Sequence, residues 1–218
     1  MRWILALLML LTTALLIMPL RFGRFYHGPK RYDLGLKVIP TLMAAGLAAW
    51  AAFGQANDRY ALFLFAGLCA CAAADVVLGI CFAAGGVLFF LGHLCYMTAF
   101  ISQQALGWPN LLVLAVALPS LWLFCCRYLP LLQNRLIALG IFTYSGALSL
   151  LLCLSLPLPF LAFSTRTVFS ATGAVLFVLS DMGVCHCMLV NRSKSFDFGV
   201  LGVYYLAQLC LALSAFGG

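Results

Sequence analysis

Long apolar stretches without charged side chains constrain this chain more than any other feature of its sequence. An example is WILALLMLLTTALLIMPL, which begins at Trp3. A helix of about 20 apolar residues crosses a hydrocarbon layer of about 30 Å, and most of these stretches approach that length. Strand-like alternation of apolar and polar residues is absent. Because lipid offers no partner to backbone polar groups, the pattern predicts an all-α, polytopic membrane protein.

We predict eight membrane helices joined by short connections, so that the whole chain, 1–218, forms one transmembrane helical domain. The composition, 66% hydrophobic and 8% charged, excludes an ordinary soluble domain. The predicted segments span residues 3–20, 35–53, 61–81, 85–103, 110–126, 135–156, 167–190 and 198–216.

Cysteine is frequent, but its positions do not indicate a disulfide framework. Nearly all of the 10 cysteines fall inside predicted helices, where they act as small apolar packing residues. The cluster Cys185-His186-Cys187 has no second ligand pair at zinc spacing elsewhere in the chain. We therefore expect no disulfide and no metal site.

Basic residues are distributed unevenly between the two ends of the predicted helices. We call side A the membrane side of the amino terminus and side B the opposite side. Lys and Arg near helix ends are retained in the cytoplasm. Side B is therefore expected to be cytoplasmic, with both termini on the non-cytoplasmic side. Side B carries Arg21, Arg24, Lys30, Arg31, Lys37, Arg127, Arg135, Arg192 and Lys194, and side A carries Arg2, Arg59 and Arg166.

All acidic residues are aspartates, and two of them lie at membrane depth. Asp33, Asp58 and Asp197 are predicted in loops, as solvated charges. Asp75 and Asp181 fall within the third and seventh segments, at similar depth in the side-B half. An ionisable residue there costs about 2.5–3.5 kcal/mol and usually faces the bundle interior or a wet cavity. We therefore predict a cavity that contains both.

Further polar side chains are predicted in the same layer. His93 and Tyr96 share one face of the fourth segment, and Tyr205 and Gln208 share one face of the eighth. Either pair can reach a carboxylate across a helix interface. Polar residues that only hold helices together are the alternative. The layer also contains Lys37, Tyr144 and Tyr204.

The third and fourth segments resemble the seventh and eighth. AGLCACAAADVVLGI and GHLCYMTAF compare with TGAVLFVLSDMGV and YYLAQLCLALSAF, so that each pair has a mid-helix aspartate followed by polar residues at i and i+3. The two aspartate segments run in the same direction. This predicts a four-plus-four parallel repeat about an axis along the membrane normal, with Asp75 facing Asp181.

Two carboxylates in a low-dielectric cavity supply an acid and a base together, because burial and mutual repulsion favour a proton on one of them. Such a pair can protonate an acid-labile bond, stabilise a cationic intermediate and activate water. It can equally relay protons in a transporter. Both alternatives stay open on the residues alone.

The motifs ADVVLGI, FFLGHLCYMTAF, GAVLFVLSDMGV and VYYLAQLCLALS, with Lys37 and Pro40 in the second segment, resemble the YhhN family of lysoplasmalogenase-like membrane proteins. The likeness covers nearly the whole chain. It implies hydrolysis of the vinyl-ether bond of 1-alkenyl lysophospholipids without a cofactor. The products would be a fatty aldehyde and glycerophosphoethanolamine or glycerophosphocholine.

On this resemblance Asp75 and Asp181 are the expected acid/base pair, in either order, and Lys37 is expected to meet the substrate phosphate. The expected partners are the lysophospholipid and membrane lipids, with no nucleic acid, and the expected location is the bacterial inner membrane. Orienting or substrate-contacting roles are expected for His93, Tyr96, Tyr144, Tyr204, Tyr205 and Gln208.

Three other functions use the same features. A proton-coupled transporter or lipid carrier would change the protonation of the two aspartates between conformations. A structural membrane protein would use them only for helix packing. An aspartyl intramembrane protease is disfavoured, because VLSDMG lacks the glycine-x-glycine-aspartate element of presenilin-like enzymes.

Overall fold

Helices long enough to cross a membrane dominate the computed structural model, which describes residues 2–19, 30–54, 58–132, 134–190 and 194–217. Within these ranges no strand occurs, and seven helices are long and apolar enough to span a bilayer. The stretch Arg2–Leu15 is a shorter apolar helix. The predicted all-α, multi-pass membrane architecture is confirmed.

The helix boundaries lie close to the predicted ones, with one short helix added. This helix, α7, forms the side-A connection before α8, so the predicted seventh and eighth segments are α8 and α9. A π-helical turn, Thr13–Ile17, extends α1, and a 3₁₀ turn, Leu129–Leu131, follows α5. The helices are α1 Arg2–Thr12, α2 Lys30–Gly54, α3 Arg59–Leu78, α4 Phe82–Ile101, α5 Trp108–Cys126, α6 Arg135–Ser155, α7 Leu158–Leu161, α8 Thr165–Leu189 and α9 Lys194–Ser214.

Polar residues at helix starts supply partners for backbone amides that have none within the helix. Asp58 caps α3 by accepting a hydrogen bond from the amide of Tyr60 at 3.0 Å. Asn134 caps α6 through the amide of Leu136 at 2.8 Å. Ser164 caps α8 and forms a capping box with Thr167. These caps fix where three of the long helices begin.

Side chains are arranged in the opposite way to those of a soluble protein. Phe160 and Phe163 are 91% and 88% exposed, whereas Asp75, His93 and Gln208 have no exposed surface. An apolar exterior around buried polar groups is what a lipid environment requires. The polar groups that can take part in chemistry therefore lie in the interior.

A glycine lies eight residues before each membrane-depth aspartate and allows close helix packing. Gly67 of α3 lies against the ring of Tyr96 on α4, and Gly173 of α8 lies against Leu211 and the carbonyl of Ala207 on α9. Neither glycine has room for a Cβ atom, so both helix pairs approach closely. A four-plus-four repeat would produce such shared packing, but the repeat itself stays a prediction.

On side A, a largely buried ion pair joins the two halves of the chain. Arg166 Nη2 at the start of α8 lies 2.6 Å from Asp58 Oδ2, and its guanidinium stacks on the ring of Tyr60. The prediction that Asp58 is a solvated loop charge is wrong, because Arg166 pairs with it. Asp33 and Asp197, also predicted in loops, lie within α2 and the first turn of α9.

Candidate functional site

Three donors converge on Asp75, which is completely buried. Lys37 Nζ lies 2.9 Å from its Oδ1 atom. The hydroxyl groups of Thr41 and Tyr204 both donate to its Oδ2 atom at 2.8 Å. One carboxylate oxygen of Asp75 therefore forms an ion pair, and the other accepts two hydrogen bonds.

The second helix presents Lys37 and Thr41 to Asp75 because residues four apart share a helix face. Pro40, between them, has no amide hydrogen, which weakens the helix at this point. The Tyr205 hydroxyl donates to the Lys37 carbonyl at 2.9 Å and supports the backbone there. Lys37 thus supplies the cation that a buried carboxylate needs. The expectation that Lys37 meets a substrate phosphate stays a prediction.

Asp181 has fewer partners than Asp75 and is accessible. The Tyr144 hydroxyl donates to its Oδ2 atom at 2.6 Å. His93 Nε2 lies 3.7 Å from the same oxygen, beyond hydrogen-bond distance. The Asp181 side chain is 12% exposed, so this carboxyl group is the one that a small molecule can reach.

A backbone contact fixes the hydrogen position on His93. Its Nδ1 atom lies 2.6 Å from the carbonyl oxygen of Phe89, and this oxygen can only accept a hydrogen bond. In the neutral imidazole, Nε2 therefore carries the lone pair and faces Asp181. His93 and Asp181 are arranged to exchange one proton.

The two carboxylates are contacted in a reciprocal way. Asp75, on α3, is bound by α2 and α9, whereas Asp181, on α8, is contacted by α6 and α4. Each aspartate is thus contacted by the preceding long helix of its own half of the chain and by the last helix of the other half. The Phe177 ring joins both groups, with centroid distances of 4.7 Å to His93 and 5.6 Å to Tyr204. The two aspartates therefore belong to one site.

Two residues predicted to reach a carboxylate contact each other instead. The Tyr96 hydroxyl donates to Gln208 Oε1 at 3.0 Å across the interface of α4 and α9, and both residues are fully buried. The Tyr205 hydroxyl reaches the backbone of α2. The contact from α9 to Asp75 comes from Tyr204, because adjacent helical residues point about 100° apart.

Sequence reasoning missed Thr41 and Phe177. Thr41 lies four residues after Lys37, and Phe177 lies four residues before Asp181. Their positions on the faces of two predicted site residues were the available signal. A threonine and a phenylalanine in apolar helices are otherwise ordinary, so composition alone does not distinguish them.

No three His, Cys, Asp or Glu side chains come together as a metal-binding group in the part of the chain that the structure describes. None of the ten cysteines forms a disulfide. His186 Nδ1 lies 2.9 Å from the Tyr128 hydroxyl, which joins the connection between α5 and α6 to α8 on side B. Three basic residues predicted on side B, Arg21, Arg24 and Arg192, lie outside the described residues.

Comparison with known proteins gives one informative result. The family model described as the YhhN family matches residues 33–215, a range that includes every residue of the site. No curated protein and no solved structure matches the chain.

Proposed function

This chain belongs to the YhhN family, and we propose that it is a membrane-embedded hydrolase that cleaves the vinyl-ether bond of 1-alkenyl lysophospholipids. Family membership supports a lysoplasmalogenase-like reaction. The observation that carries the proposal is the unequal pair of aspartates. Asp75 is held by three donors, whereas Asp181 is accessible beside Tyr144 and His93.

In the first step, Asp181 donates a proton to the enol-ether carbon that is not bonded to oxygen. The double bond R–CH=CH–O–R′ becomes the oxocarbenium ion R–CH2–CH=O⁺–R′. Asp181 is assigned this role because a substrate can reach it and because its proton can be restored through His93. The Tyr144 hydroxyl stabilises the carboxylate that remains.

In the second step, water adds to the cationic carbon and returns a proton to Asp181. The product is a hemiacetal, which collapses to a fatty aldehyde and the free glycerol hydroxyl. One carboxyl group thus acts as acid and then as base, as in retaining glycosidases.

Asp75 has a positioning role in this proposal. Both of its oxygens are engaged, so it does not deliver the proton. It fixes the Tyr204 ring and the α2 segment around Lys37 and Thr41. Tyr204 in turn packs on Phe177, which also contacts His93. Asp75 therefore acts on the reaction through the shape of the site.

The test is aldehyde release from a 1-alkenyl lysophospholipid by the purified protein in detergent. Aldehyde is expected from this substrate and none from the 1-alkyl analogue of equal chain length and head group, because the alkyl ether has no double bond to protonate. Absence of aldehyde from folded protein with both ethanolamine and choline head groups would refute the proposal. Movement of intact lipid between vesicles would then favour a carrier.

We place the protein in the bacterial inner membrane with side B in the cytoplasm. The excess of Lys and Arg on side B supports this orientation. Both termini then lie on the non-cytoplasmic side, and the two aspartates lie in the cytoplasmic half of the bilayer.

Replacing Tyr144 by Phe is expected to lower kcat by about 10- to 100-fold, because a hydrogen bond to a charged group contributes about 1.5–3 kcal/mol. The measurement is the rate of aldehyde release at saturating substrate. Tyr60→Phe is the matched control, since it removes a buried hydroxyl on side A that contacts Ser170 and Ser214. Equal kcat values for the two variants would contradict the assignment of Tyr144.

A further inference from the structure

The side-B halves of α4 and α6 are mostly exposed, and they border the open region beside Asp181 that we call the cleft. No residue of α6 from Arg135 to Tyr144 is buried, whereas Ser145 and many residues after it are. In α4, Gly85 is the one buried residue before Phe89. Most side chains of both helices are therefore not buried over the turns that precede the site.

Two glycines keep this cleft free of side chains. Gly86 lies seven residues before His93, and Gly140 lies four residues before Tyr144, so each shares the helix face of a site residue. A Cβ atom added at either glycine would meet no atom within 4 Å. At these two positions, therefore, no side chain fills the space between side B and Asp181.

An unpartnered polar atom lies at the bottom of the cleft. His93 is fully buried, and its Nε2 atom has no hydrogen-bond partner. It is directed at Asp181, whose side chain is 12% exposed. Beside Asp75, by contrast, Pro40 and Thr41 are buried, and Asp75 itself has no exposed surface. The cleft thus reaches one aspartate of the pair.

Positive charge is present at the mouth of the cleft. Arg127 and Arg135, which we call the side-B rim, are exposed on either side of the connection between α5 and α6. The contact of Tyr128 with His186 holds this connection against α8. Asp181 lies eight residues before the last residue of α8, which corresponds to a depth of about 12 Å. A molecule whose middle lies at Asp181 can therefore place an anionic group at the side-B rim.

We propose that this cleft takes up the glycerophosphate head group of the lysophospholipid from side B, with the phosphate near the side-B rim and the vinyl ether at Asp181. The inference rests on the proposed function and specifies which end of the substrate occupies which part of the site. It makes Gly86 and Gly140 determinants of head-group size. They act by leaving space, and neither takes part in proton transfer.

The kinetic test compares Gly140→Leu and Gly86→Leu with the matched control Gly46→Leu. A Cβ atom at Gly46 also meets nothing within 4 Å, and this glycine lines a cavity between α1 and α2. Each full-length variant is assayed with a 1-alkenyl lysophosphocholine and with a 1-alkenylglycerol that has no phosphate. The two cleft variants are expected to raise KM for the phosphocholine substrate about tenfold or more. They are expected to raise KM for the alkenylglycerol by a smaller factor. Gly46→Leu is expected to change neither.

The charge of the rim is tested by the double variant Arg127→Gln/Arg135→Gln. This variant is expected to raise KM for the phosphocholine substrate and to leave KM for the alkenylglycerol unchanged. Arg59→Gln, an exposed arginine at the side-A start of α3, is the matched control. Equal effects of the rim and control variants would overturn the placement of the phosphate.

A measurement without substrate separates this inference from the proposed function. A water-soluble carbodiimide with an amine nucleophile is expected to modify Asp181, detected by peptide mass spectrometry, and to spare Asp75. Gly140→Leu and Gly86→Leu are expected to reduce the modification, and Gly46→Leu is not. An active enzyme in which both cleft variants keep wild-type KM values and labelling would overturn the inference. Failure of the wild type to release aldehyde refutes the proposed function instead.

Discussion

Replacing Asp181 by Asn is expected to lower the rate of aldehyde release by about 10²- to 10⁴-fold, the usual contribution of a general acid–base group. The amide has nearly the same size and can still receive the hydrogen bond from Tyr144. It cannot deliver a proton to the enol-ether carbon. The measurement is single-turnover aldehyde release, which is independent of product dissociation.

Asp197→Asn is the matched control for this variant. Asp197 lies in the first turn of α9, outside the site, so the same substitution there is expected to leave the rate unchanged. Both variants should keep the elution profile of the wild type in detergent. An Asp181→Asn variant that retains more than about a tenth of the wild-type rate would contradict the role of this carboxyl as the proton donor.

Depth within the membrane was enough to find the two aspartates and His93. Each carries a polar group in a segment otherwise made of apolar residues, and the cost of burying it makes a partner necessary. The same argument predicted eight membrane helices. In the described residues seven helices are long and apolar enough to cross a bilayer, and the first predicted segment forms a shorter apolar helix, Arg2–Leu15. These expectations follow from composition along the chain and need no tertiary information.

The partner of each polar group was harder to predict. Tyr204 and Tyr205 are adjacent in sequence but point to different elements, one to Asp75 and the other to the α2 backbone. An error of one residue in the orientation of a helix rotates it by about 100°, which is enough to exchange the contacts expected for the two tyrosines. Lys37 was assigned to a phosphate because its depth relative to Asp75 was not known. Only the three-dimensional arrangement of α2 against α3 shows that the two side chains meet.

The difference between the two halves is itself informative. Both halves place an aspartate two turns after a tightly packed glycine, yet one carboxylate is closed by a lysine and two hydroxyls while the other is accessible. Helix packing alone would not require this asymmetry. In the proposed hydrolase, the accessible carboxyl group is the one that substrate reaches, and the closed one belongs to the rigid framework around it.

Replacing Lys37 by Met is expected to lower the free energy of unfolding by about 3–5 kcal/mol, because it leaves the buried Asp75 carboxylate without its cation. Chemical denaturation in detergent measures this change. Adding Asp75→Asn to Lys37→Met is expected to restore much of the loss, since the charge is then removed together with its partner. If Lys37 instead bound the substrate phosphate, Lys37→Met would raise KM and leave the unfolding free energy unchanged. Stability and KM of the single variant therefore distinguish an ion pair that builds the site from a lysine that binds the ligand.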